Sequence, residues 1–281
     1  MKKREVFTDI FPNNSIVSVH QLNNGVEGKV YYVVTEQGPM VVKYFSQRRM
    51  INYPDTLNKE LELFQLLSSH NVAVPQIYKY SRSQNCLCYY YVDGEQIIPN
   101  EKEFETIARY LKTMSLCNIA QMRFLPFMSE EYLMQEIQIM ADYEPFYNSC
   151  LKRELIRLRI NESSMTLSHG DFHHGNMIWT KNRNHLTLID WDEASIAPVE
   201  FDISRFFVSH SVFSNIQTAT VFLSFCEERF KISKDVLSFF IHFNAYYCLI
   251  RYANWTDGFF CRHNIHTKDE TKSILEKLIT I

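Results

Sequence analysis

The sequence predicts an α+β protein of two lobes, a small β-rich lobe over residues 1–93 and a larger, mostly helical lobe over residues 94–281. Three observations support this division. The length of 281 residues is enough for about two domains. Runs of β-branched and aromatic residues are concentrated in the first ninety residues, whereas apolar residues recur with a helical period after Gly94. The composition, 46% hydrophobic and 22% charged, is that of an ordinary globular protein.

The small lobe is predicted to contain a hairpin and one further strand. Residues 30–35 and 40–45 are rich in Val and Tyr, and the sequence Glu36-Gln37-Gly38-Pro39 between them is a turn signal. Residues 86–92 form another apolar, aromatic run, which ends at Asp93-Gly94. A small antiparallel sheet is therefore expected in this lobe.

Helices are predicted from the spacing of apolar residues and from capping signals. Apolar residues three or four positions apart indicate a helix from Asp55 or Thr56 to Ser69. Asn100 and Glu103 form a cap pair that opens the next helix. Further helices are predicted over residues 130–147, 149–159, 201–209, 216–230, 234–254 and 268–279. Short strands are expected within residues 167–179 and 186–189.

Charge and cysteine content exclude several classes of function. Lys and Arg number 29 against 32 Asp and Glu, a net charge of −3, so no nucleic-acid partner is expected. The seven cysteines are scattered and form no CxxC motif, which is typical of reduced thiols in a cytoplasmic protein. The most apolar window, residues 236–255, is interrupted by His242, Asn244 and Arg251, so it predicts a buried helix and no membrane partner.

The segment that says most about function runs from residue 167 to residue 192. His169, Asp171 and Asn176 give the pattern His-x-Asp-x4-Asn before an apolar strand, and Asp190 ends a second apolar strand. The polar residues between these strands predict a hairpin, which would bring Asn176 and Asp190 close together. Phosphoryl transfer needs such residues, because Mg²⁺ prefers carboxylate and amide oxygens and the acceptor hydroxyl needs a carboxylate to orient it.

A lysine and a glutamate of the small lobe are further residues of the types that phosphoryl transfer needs. Lys43 lies on the second hairpin strand, where the kinase motif Val-Ala-Ile-Lys places a phosphate-binding lysine. Glu60 shares a side with the apolar residues of the following helix, whereas Glu62 is predicted to face water. Glu60 is therefore expected to hold Lys43. The loop with Gly25 and Gly28 precedes the hairpin, where a phosphate-covering loop would lie, although its spacing is not GxGxxG.

Three short motifs resemble, in order, the C-lobe signatures of the aminoglycoside phosphotransferase and choline kinase-like family of small-molecule kinases. They are His169-Gly170-Asp171 with Asn176, then Ile189-Asp190-Trp191, then Phe201-Asp202-Ile203. The resemblance covers roughly residues 15–260. It implies the two-lobed protein-kinase-like fold, with ATP or GTP bound between the lobes. One departure is the loop of residues 194–200, which lacks the glycine that the family often carries there.

The resemblance also implies a role for the motif residues. Asp171 would be the catalytic base, and Asn176 and Asp190 would bind Mg²⁺. Lys43 would hold the α- and β-phosphates of the nucleotide, and Glu60 would pair with it.

The resemblance further implies a hinge and a structural anchor. Asp202 would anchor the catalytic loop, and we interpret His169 as a structural histidine that supports the same loop. The residues that would meet the purine through backbone groups are Tyr89, Tyr90, Tyr91 and Val92.

The function expected from these features is Mg²⁺-dependent transfer of the γ-phosphate of ATP or GTP to a hydroxyl of a small molecule. An aminoglycoside-, choline- or sugar-like acceptor is consistent with the resemblance. One alternative is a kinase-like nucleotide-binding or scaffold protein with little turnover, for example of the spore-coat type. Another is a metal cluster of His169, His173 and His174 around Asp171, which would leave Asn176 without a role.

Overall fold

The computed structural model describes residues 7, 10–11, 16–24, 28–46, 55–140, 145–158, 160, 165–253 and 268–279. The chain divides into two compact units by its contacts. The first, here called the N-lobe, comprises Met1–Gly94 and Thr187–Ile189. The second, the C-lobe, comprises Glu95–Leu186 and Asp190–Ile281.

The N-lobe contains a five-stranded antiparallel sheet in the order β1-β2-β3-β5-β4. Its strands are β1 (Ile16–Asn24), β2 (Gly28–Thr35), β3 (Gly38–Phe45), β4 (Ile77–Ser81) and β5 (Cys86–Tyr90). The predicted hairpin is confirmed as β2 and β3, with Val30 opposite Lys43. The strands β1 and β4 were not predicted. Both lie at edges of the sheet and carry exposed apolar or aromatic residues, such as Val17 and Tyr80, so neither shows the burial pattern of a central strand.

The two faces of this sheet pack against different partners. Alternate residues of a strand point to opposite faces, so Val42 and Cys88, which are direct partners, share one face. That face packs on Phe7, Ile10 and Phe11 in an apolar cluster. The other face therefore carries Lys43 with its partner Leu87, and Val41 with its partner Tyr89.

The helix α1 (Thr56–Ser69) lies on the second face, and its bounds match the prediction. The rings of Phe64 and Tyr89 are 5.4 Å apart, which places the helix over the end of β5. Glu60 is buried and Glu62 is exposed, as the apolar pattern predicted. The helix thus turns one carboxylate toward the sheet.

The C-lobe is mostly helical. Its helices are α2 (Glu101–Ser115), α3 (Glu130–Met140), α4 (Pro145–Arg157), α5 (Val199–Phe213), α6 (Ile216–Glu227), α7 (Lys234–Ala253) and α8 (Lys268–Ile279). The prediction of one helix from 130 to 147 and the next from 149 is wrong, because α3 ends at Met140 and α4 begins at Pro145. Proline favours the first position of a helix and interrupts the interior of one.

Four short strands precede and follow the polar motif along the chain. They are β6 (Met165–Ser168), β7 (Met177–Trp179), β8 (Leu186–Leu188) and β9 (Ser195–Pro198). The strands β6 and β9 pair antiparallel. The predicted hairpin is confirmed as β7 and β8, and its turn is closed by a hydrogen bond from the Thr180 N–H to the His185 carbonyl (3.1 Å).

The helix α5 lies in the interior of the C-lobe. Every residue from Glu200 to Val212 is buried, including the charged Asp202 and Arg205. Two apolar clusters of this lobe draw residues from α5, one shared with α7 and the other also with α8. Charged groups on such a helix require partners inside the protein.

No helix in the described ranges is both long and apolar enough to cross a membrane. The six cysteines that fall within these ranges are thiols and form no disulfide.

The cap of α2 gives a direct test of the local structure. The Asn100 side chain accepts a hydrogen bond from the Lys102 N–H (3.0 Å), and the Glu103 carboxylate accepts one from the Asn100 N–H (2.8 Å). We expect Asn100→Ala to lower the free energy of unfolding by about 1 kcal/mol, measured by urea unfolding. Lys102→Ala, which changes an exposed residue of the same turn, is the control. An equal effect of the two substitutions would show that the cap contributes nothing.

Candidate active site

Residues 168–176, from the end of β6 to the start of β7, are here called the motif loop. The carboxylate of Asp202, on α5, holds the first half of this loop. The Asp202 Oδ1 atom accepts hydrogen bonds from the Ser168 hydroxyl (2.9 Å) and the Gly170 N–H (3.1 Å). Its Oδ2 atom accepts one from the His169 N–H (2.8 Å). Burial nevertheless raises the pKa of Asp202 to about 6, because desolvation of the carboxylate outweighs these bonds. The structure thus places Asp202 as an anchor of the loop.

Two further features hold the loop backbone. Gly170 has a φ of +84°, and a Cβ atom there would lie 2.0 Å from the Glu193 carbonyl oxygen, so only glycine fits. His169 is fully buried, its ring lies 4.6 Å from that of Trp191, and its Nδ1 atom accepts a hydrogen bond from the Asp171 N–H (3.3 Å). His169 therefore supports the backbone of Asp171.

The Asp171 carboxylate is held by donors on both of its oxygens. Arg205 donates to Oδ1 through Nη2 (2.6 Å) and Nε (3.1 Å). His173 lies 3.1 Å from Oδ2 through Nε2, and the Asn176 amide nitrogen donates to the same oxygen at 3.2 Å. Because a carboxylate offers about four lone-pair directions, these contacts leave little rotational freedom to the group.

The contacts of His173 determine where its proton lies. Its Nδ1 atom accepts a hydrogen bond from the Gly175 N–H (3.0 Å), and a backbone N–H can only donate. The neutral ring therefore carries its proton on Nε2 and donates it to Asp171. This contact was not predicted from the sequence.

Opposing effects act on the pKa of Asp171. Burial alone would raise it, but the positive charge of Arg205, together with the hydrogen bond from His173, holds the pKa well below its usual range. The neighbouring Asp171 carboxylate in turn raises the pKa of Arg205 against the effect of burial. The pair is therefore ionised at neutral pH, and the Asp171 carboxylate is a strong hydrogen-bond acceptor but a weak base.

Asn176 and Asp190 offer oxygen atoms of the type that Mg²⁺ prefers. The Asn176 amide nitrogen also donates to the Asp171 carbonyl (2.9 Å), and this orientation presents Oδ1 as the ligand atom. Asp190 follows β8 with an exposed side chain and a φ of 61°. The chemistry of these two oxygen donors would fit such a metal.

The hypothesis of a histidine metal cluster gains no support from this loop. Both ring nitrogens of His173 are engaged, and the Nδ1 atom of His169 accepts a backbone hydrogen bond. Within the part of the chain that the structure describes, no group of three or more His, Cys, Asp or Glu residues is arranged to hold a metal ion.

The N-lobe brings Lys43 and Glu60 together. The Lys43 Nζ atom lies 3.5 Å from the Glu60 Oε2 atom, and the Glu60 side chain is 5% exposed. The other carboxylate oxygen of Glu60, Oε1, accepts a hydrogen bond from the Tyr89 hydroxyl. Lys43 and Glu60 thus form the ion pair that the sequence predicted, and the Tyr89 hydroxyl binds the same carboxylate.

Two of the residues predicted to form the hinge make backbone hydrogen bonds within the N-lobe. The Tyr90 N–H donates to the Gln76 carbonyl (2.9 Å), and the Tyr91 N–H donates to the Pro39 carbonyl (3.2 Å). A purine contact through this segment would therefore use its carbonyl groups or the Val92 N–H.

The structure describes only one of the two glycines of the expected phosphate-covering loop. Gly25 lies outside the described residues. Gly28 is the first residue of β2, and a Cβ atom there would lie 2.1 Å from the Tyr44 carbonyl oxygen. The close approach of β3 is therefore sufficient reason for a glycine at position 28.

Sequence reasoning missed Arg205, although a signal for it existed. Arg205 stands three residues after Asp202, one helical turn along, in the stretch from Phe201 to Val208, whose other residues are apolar apart from Ser204. A charged residue in a buried helix needs a partner, and positions three apart lie on the same face. The partner itself, Asp171, could not be identified without the fold.

Comparisons with known proteins give a family and a fold. The model of the phosphotransferase enzyme family matches residues 18–232. No curated protein sequence matches the chain. Among solved structures, the aminoglycoside 2′-phosphotransferase-IIIa in its GDP complex is 16% identical with a TM-score of 0.67, over 99% of this chain and 97% of that one. The choline kinase LicA from Streptococcus pneumoniae is 15% identical with a TM-score of 0.70, over 99% and 97%.

A third similar structure is the spectinomycin phosphotransferase in complex with ADP and spectinomycin, which is 15% identical with a TM-score of 0.63, over 97% and 92% of the two chains. These likenesses confirm the predicted α+β, two-lobed protein-kinase-like fold.

The buried ion pair predicts a large effect of removing its cation. We expect Arg205→Met to lower the free energy of unfolding by about 3 kcal/mol at pH 7, because the Asp171 carboxylate is left buried without a counter-ion. Arg229→Met is the control. Its partners Glu105 and Glu228 are largely exposed, so that loss should be at most about 1 kcal/mol. In urea unfolding, equal losses for the two variants would contradict the assignment.

The anchor predicts a pH-dependent effect. Asp202→Asn should destabilise the protein, because an amide has one acceptor oxygen and turns an N–H toward the donors of the loop. Since the pKa of Asp202 in the folded protein is raised to about 6, above its unfolded value, the contribution of Asp202 to wild-type stability falls by about 1.4 kcal/mol per pH unit as the pH rises between about 4 and about 6. The variant lacks this dependence.

The difference in unfolding free energy between wild type and the Asp202→Asn variant should therefore be larger at pH 5 than at pH 7. Urea unfolding at both pH values measures it, with the exposed Asp235→Asn as the control. A difference that does not change with pH would refute the raised pKa.

Proposed function

Since the chain belongs to the phosphotransferase enzyme family, we propose that it transfers the γ-phosphate of ATP or GTP to a hydroxyl group of a small molecule. The observation that carries this proposal is the Asp171 carboxylate, held by Arg205 and His173 beside the amide of Asn176. An oriented carboxylate next to oxygen ligands for a metal is what phosphoryl transfer to a hydroxyl requires.

The donor nucleotide and its metal are assigned to four residues. Lys43, held by Glu60, neutralises phosphate charge, and Asn176 and Asp190 are the residues that would hold Mg²⁺. When bound, the metal neutralises charge on the phosphates and orients them. Similar solved structures support a nucleotide donor, since they contain GDP, ADP, or AMP-PNP with Ca²⁺.

In the proposed reaction, the acceptor oxygen forms a bond to the γ-phosphorus while the bond from that phosphorus to the β–γ bridging oxygen breaks. The nucleoside diphosphate leaves with the electron pair of the broken bond. Asp171 accepts a hydrogen bond from the acceptor hydroxyl and receives its proton. To make this contact, the acceptor hydroxyl replaces one of the three side chains that donate to Asp171. Among Arg205, His173 and Asn176, His173 is the most exposed, at 29%.

The low pKa of Asp171 indicates how this residue contributes. A weak base gives little assistance by early proton removal, so its main effect is to align the hydroxyl, and the proton moves late. The loose transition state of phosphoryl transfer needs little nucleophilic push, so positioning and charge neutralisation are sufficient.

The same comparisons support a choice of acceptors to test. Solved structures with this fold are named for aminoglycoside, choline, spectinomycin and macrolide substrates. An aminoglycoside, choline, spectinomycin and a macrolide therefore form the panel of hydroxyl acceptors, to be tested with Mg²⁺-ATP and Mg²⁺-GTP.

The test measures release of nucleoside diphosphate and formation of a phosphoester with each acceptor. We expect Asp171→Asn to lower kcat by about a hundredfold or more while nucleotide affinity changes little. Asp190→Asn should lower both the rate and the Mg²⁺-dependent part of nucleotide affinity. The exposed Asp235→Asn is the matched control and should retain the wild-type rate.

Two results would contradict the proposal. One is a rate for Asp171→Asn equal to that of the control. The other is Mg²⁺-dependent nucleotide binding by the wild type without transfer to any acceptor of the panel, which would favour a nucleotide-binding or scaffold role.

A further inference from the structure

Three side chains of the N-lobe meet on one face of the sheet. Lys43 is opposite Leu87 in the ladder of β3 and β5, and Tyr89 is two residues beyond Leu87 on the same face. Such diagonal neighbours are about 7–8 Å apart, within reach of long side chains. Glu60 enters this space from α1, with Oε2 3.5 Å from the Lys43 Nζ atom and Oε1 accepting a hydrogen bond from the Tyr89 hydroxyl.

Burial makes the two contacts of Glu60 unequal in importance. Glu60 is 5% exposed and Tyr89 is 6% exposed. A buried carboxylate is unfavourable unless its oxygens are bonded. The 3.5 Å contact with Lys43 is longer than the roughly 2.7–2.9 Å of a charge-assisted hydrogen bond. The hydrogen bond from the Tyr89 hydroxyl is therefore needed, beside the contact with Lys43, to fix the orientation of the carboxylate.

We infer that Tyr89 is a positioning residue for the donor phosphates: its hydroxyl fixes the Glu60 carboxylate, which in turn holds the Lys43 ammonium. This inference rests on the proposed function, because Lys43 is taken there to bind phosphate. The long contact with Glu60 suits such a role, since an ammonium group with three N–H donors can keep one toward Glu60 and direct the others at phosphate oxygens.

The role belongs to the hydroxyl and can be separated from the packing of the ring. The Tyr89 ring lies 5.4 Å from that of Phe64, and phenylalanine would keep this contact. Tyr80, on the edge strand β4, is 42% exposed, and its ring centre lies 5.4 Å from the Arg82 guanidinium. Tyr80→Phe removes the same atom from an exposed tyrosine of the same sheet and is the matched control.

With the wild type active, the experiment compares steady-state kinetics of Tyr89→Phe and Tyr80→Phe. We expect Tyr89→Phe to lower kcat/KM for the nucleotide by about tenfold to a hundredfold, the loss typical of a hydrogen bond to a charged group. The KM for the acceptor should stay within about twofold of wild type, because Tyr89 is assigned to the donor phosphates only, and Tyr80→Phe should be unchanged in both constants. A Tyr89→Phe variant that behaves like Tyr80→Phe would overturn the inference.

A double-mutant cycle tests whether Tyr89 acts through Glu60. Glu60→Met keeps the length of the side chain and removes both acceptor oxygens. In that background Tyr89→Phe should change kcat/KM for the nucleotide by less than about twofold, because the bonded partner is already gone. Equal effects of Tyr89→Phe in both backgrounds would show that Tyr89 acts by another route.

The same cycle separates failure of this inference from failure of the proposed function. If the wild type transfers phosphate to no acceptor, the proposed function fails, and the cycle is then measured on the unfolding equilibrium constant. An effect of Tyr89→Phe that is at least about threefold smaller in the Glu60→Met background supports the fixed carboxylate. Additive effects on that constant would overturn it.

Discussion

The geometry of the motif loop depends on two charged side chains one turn apart on the buried helix α5. Asp202 binds the loop through Ser168 and the backbone N–H groups of His169 and Gly170, and Arg205 binds the Asp171 carboxylate directly. A helix that is buried along its length cannot move without disturbing the core of the C-lobe. The packing of α5 in the core of the C-lobe therefore fixes the position of the motif loop.

Each lobe contains a carboxylate that is stabilised by a neighbouring cation and by hydrogen bonds. Each holds a poorly solvated carboxylate, Asp171 in the C-lobe and Glu60 in the N-lobe, and each carboxylate has one cation and at least one neutral donor. The desolvation of such charges is unfavourable and is offset only when the geometry is well satisfied. This arrangement gives carboxylates of fixed orientation, which is the property that positioning of a phosphoryl group requires.

The sequence predicted what depends on local pattern and missed what depends on contacts across the fold. The hairpin of β2 and β3, the inward side of Glu60 and the cap at Asn100 follow from periodicity and spacing, and all are confirmed. Arg205 is 34 residues from its partner Asp171, and Tyr89 is 29 residues from its partner Glu60, so no spacing rule connects either pair. The edge strands β1 and β4 were missed because half-exposed strands lack a clear apolar pattern.

The central claim is that this chain binds a nucleotide together with Mg²⁺ through the named residues. Thermal unfolding with ATP or GTP, with and without Mg²⁺, tests it most directly, because it needs no acceptor. At a hundredfold excess over Kd a ligand of the native state adds about 2.7 kcal/mol of apparent stability. The account predicts Mg²⁺-dependent stabilisation by at least one nucleotide, which Asp190→Asn abolishes. No stabilisation of the folded wild-type protein by either nucleotide at millimolar concentration would contradict it.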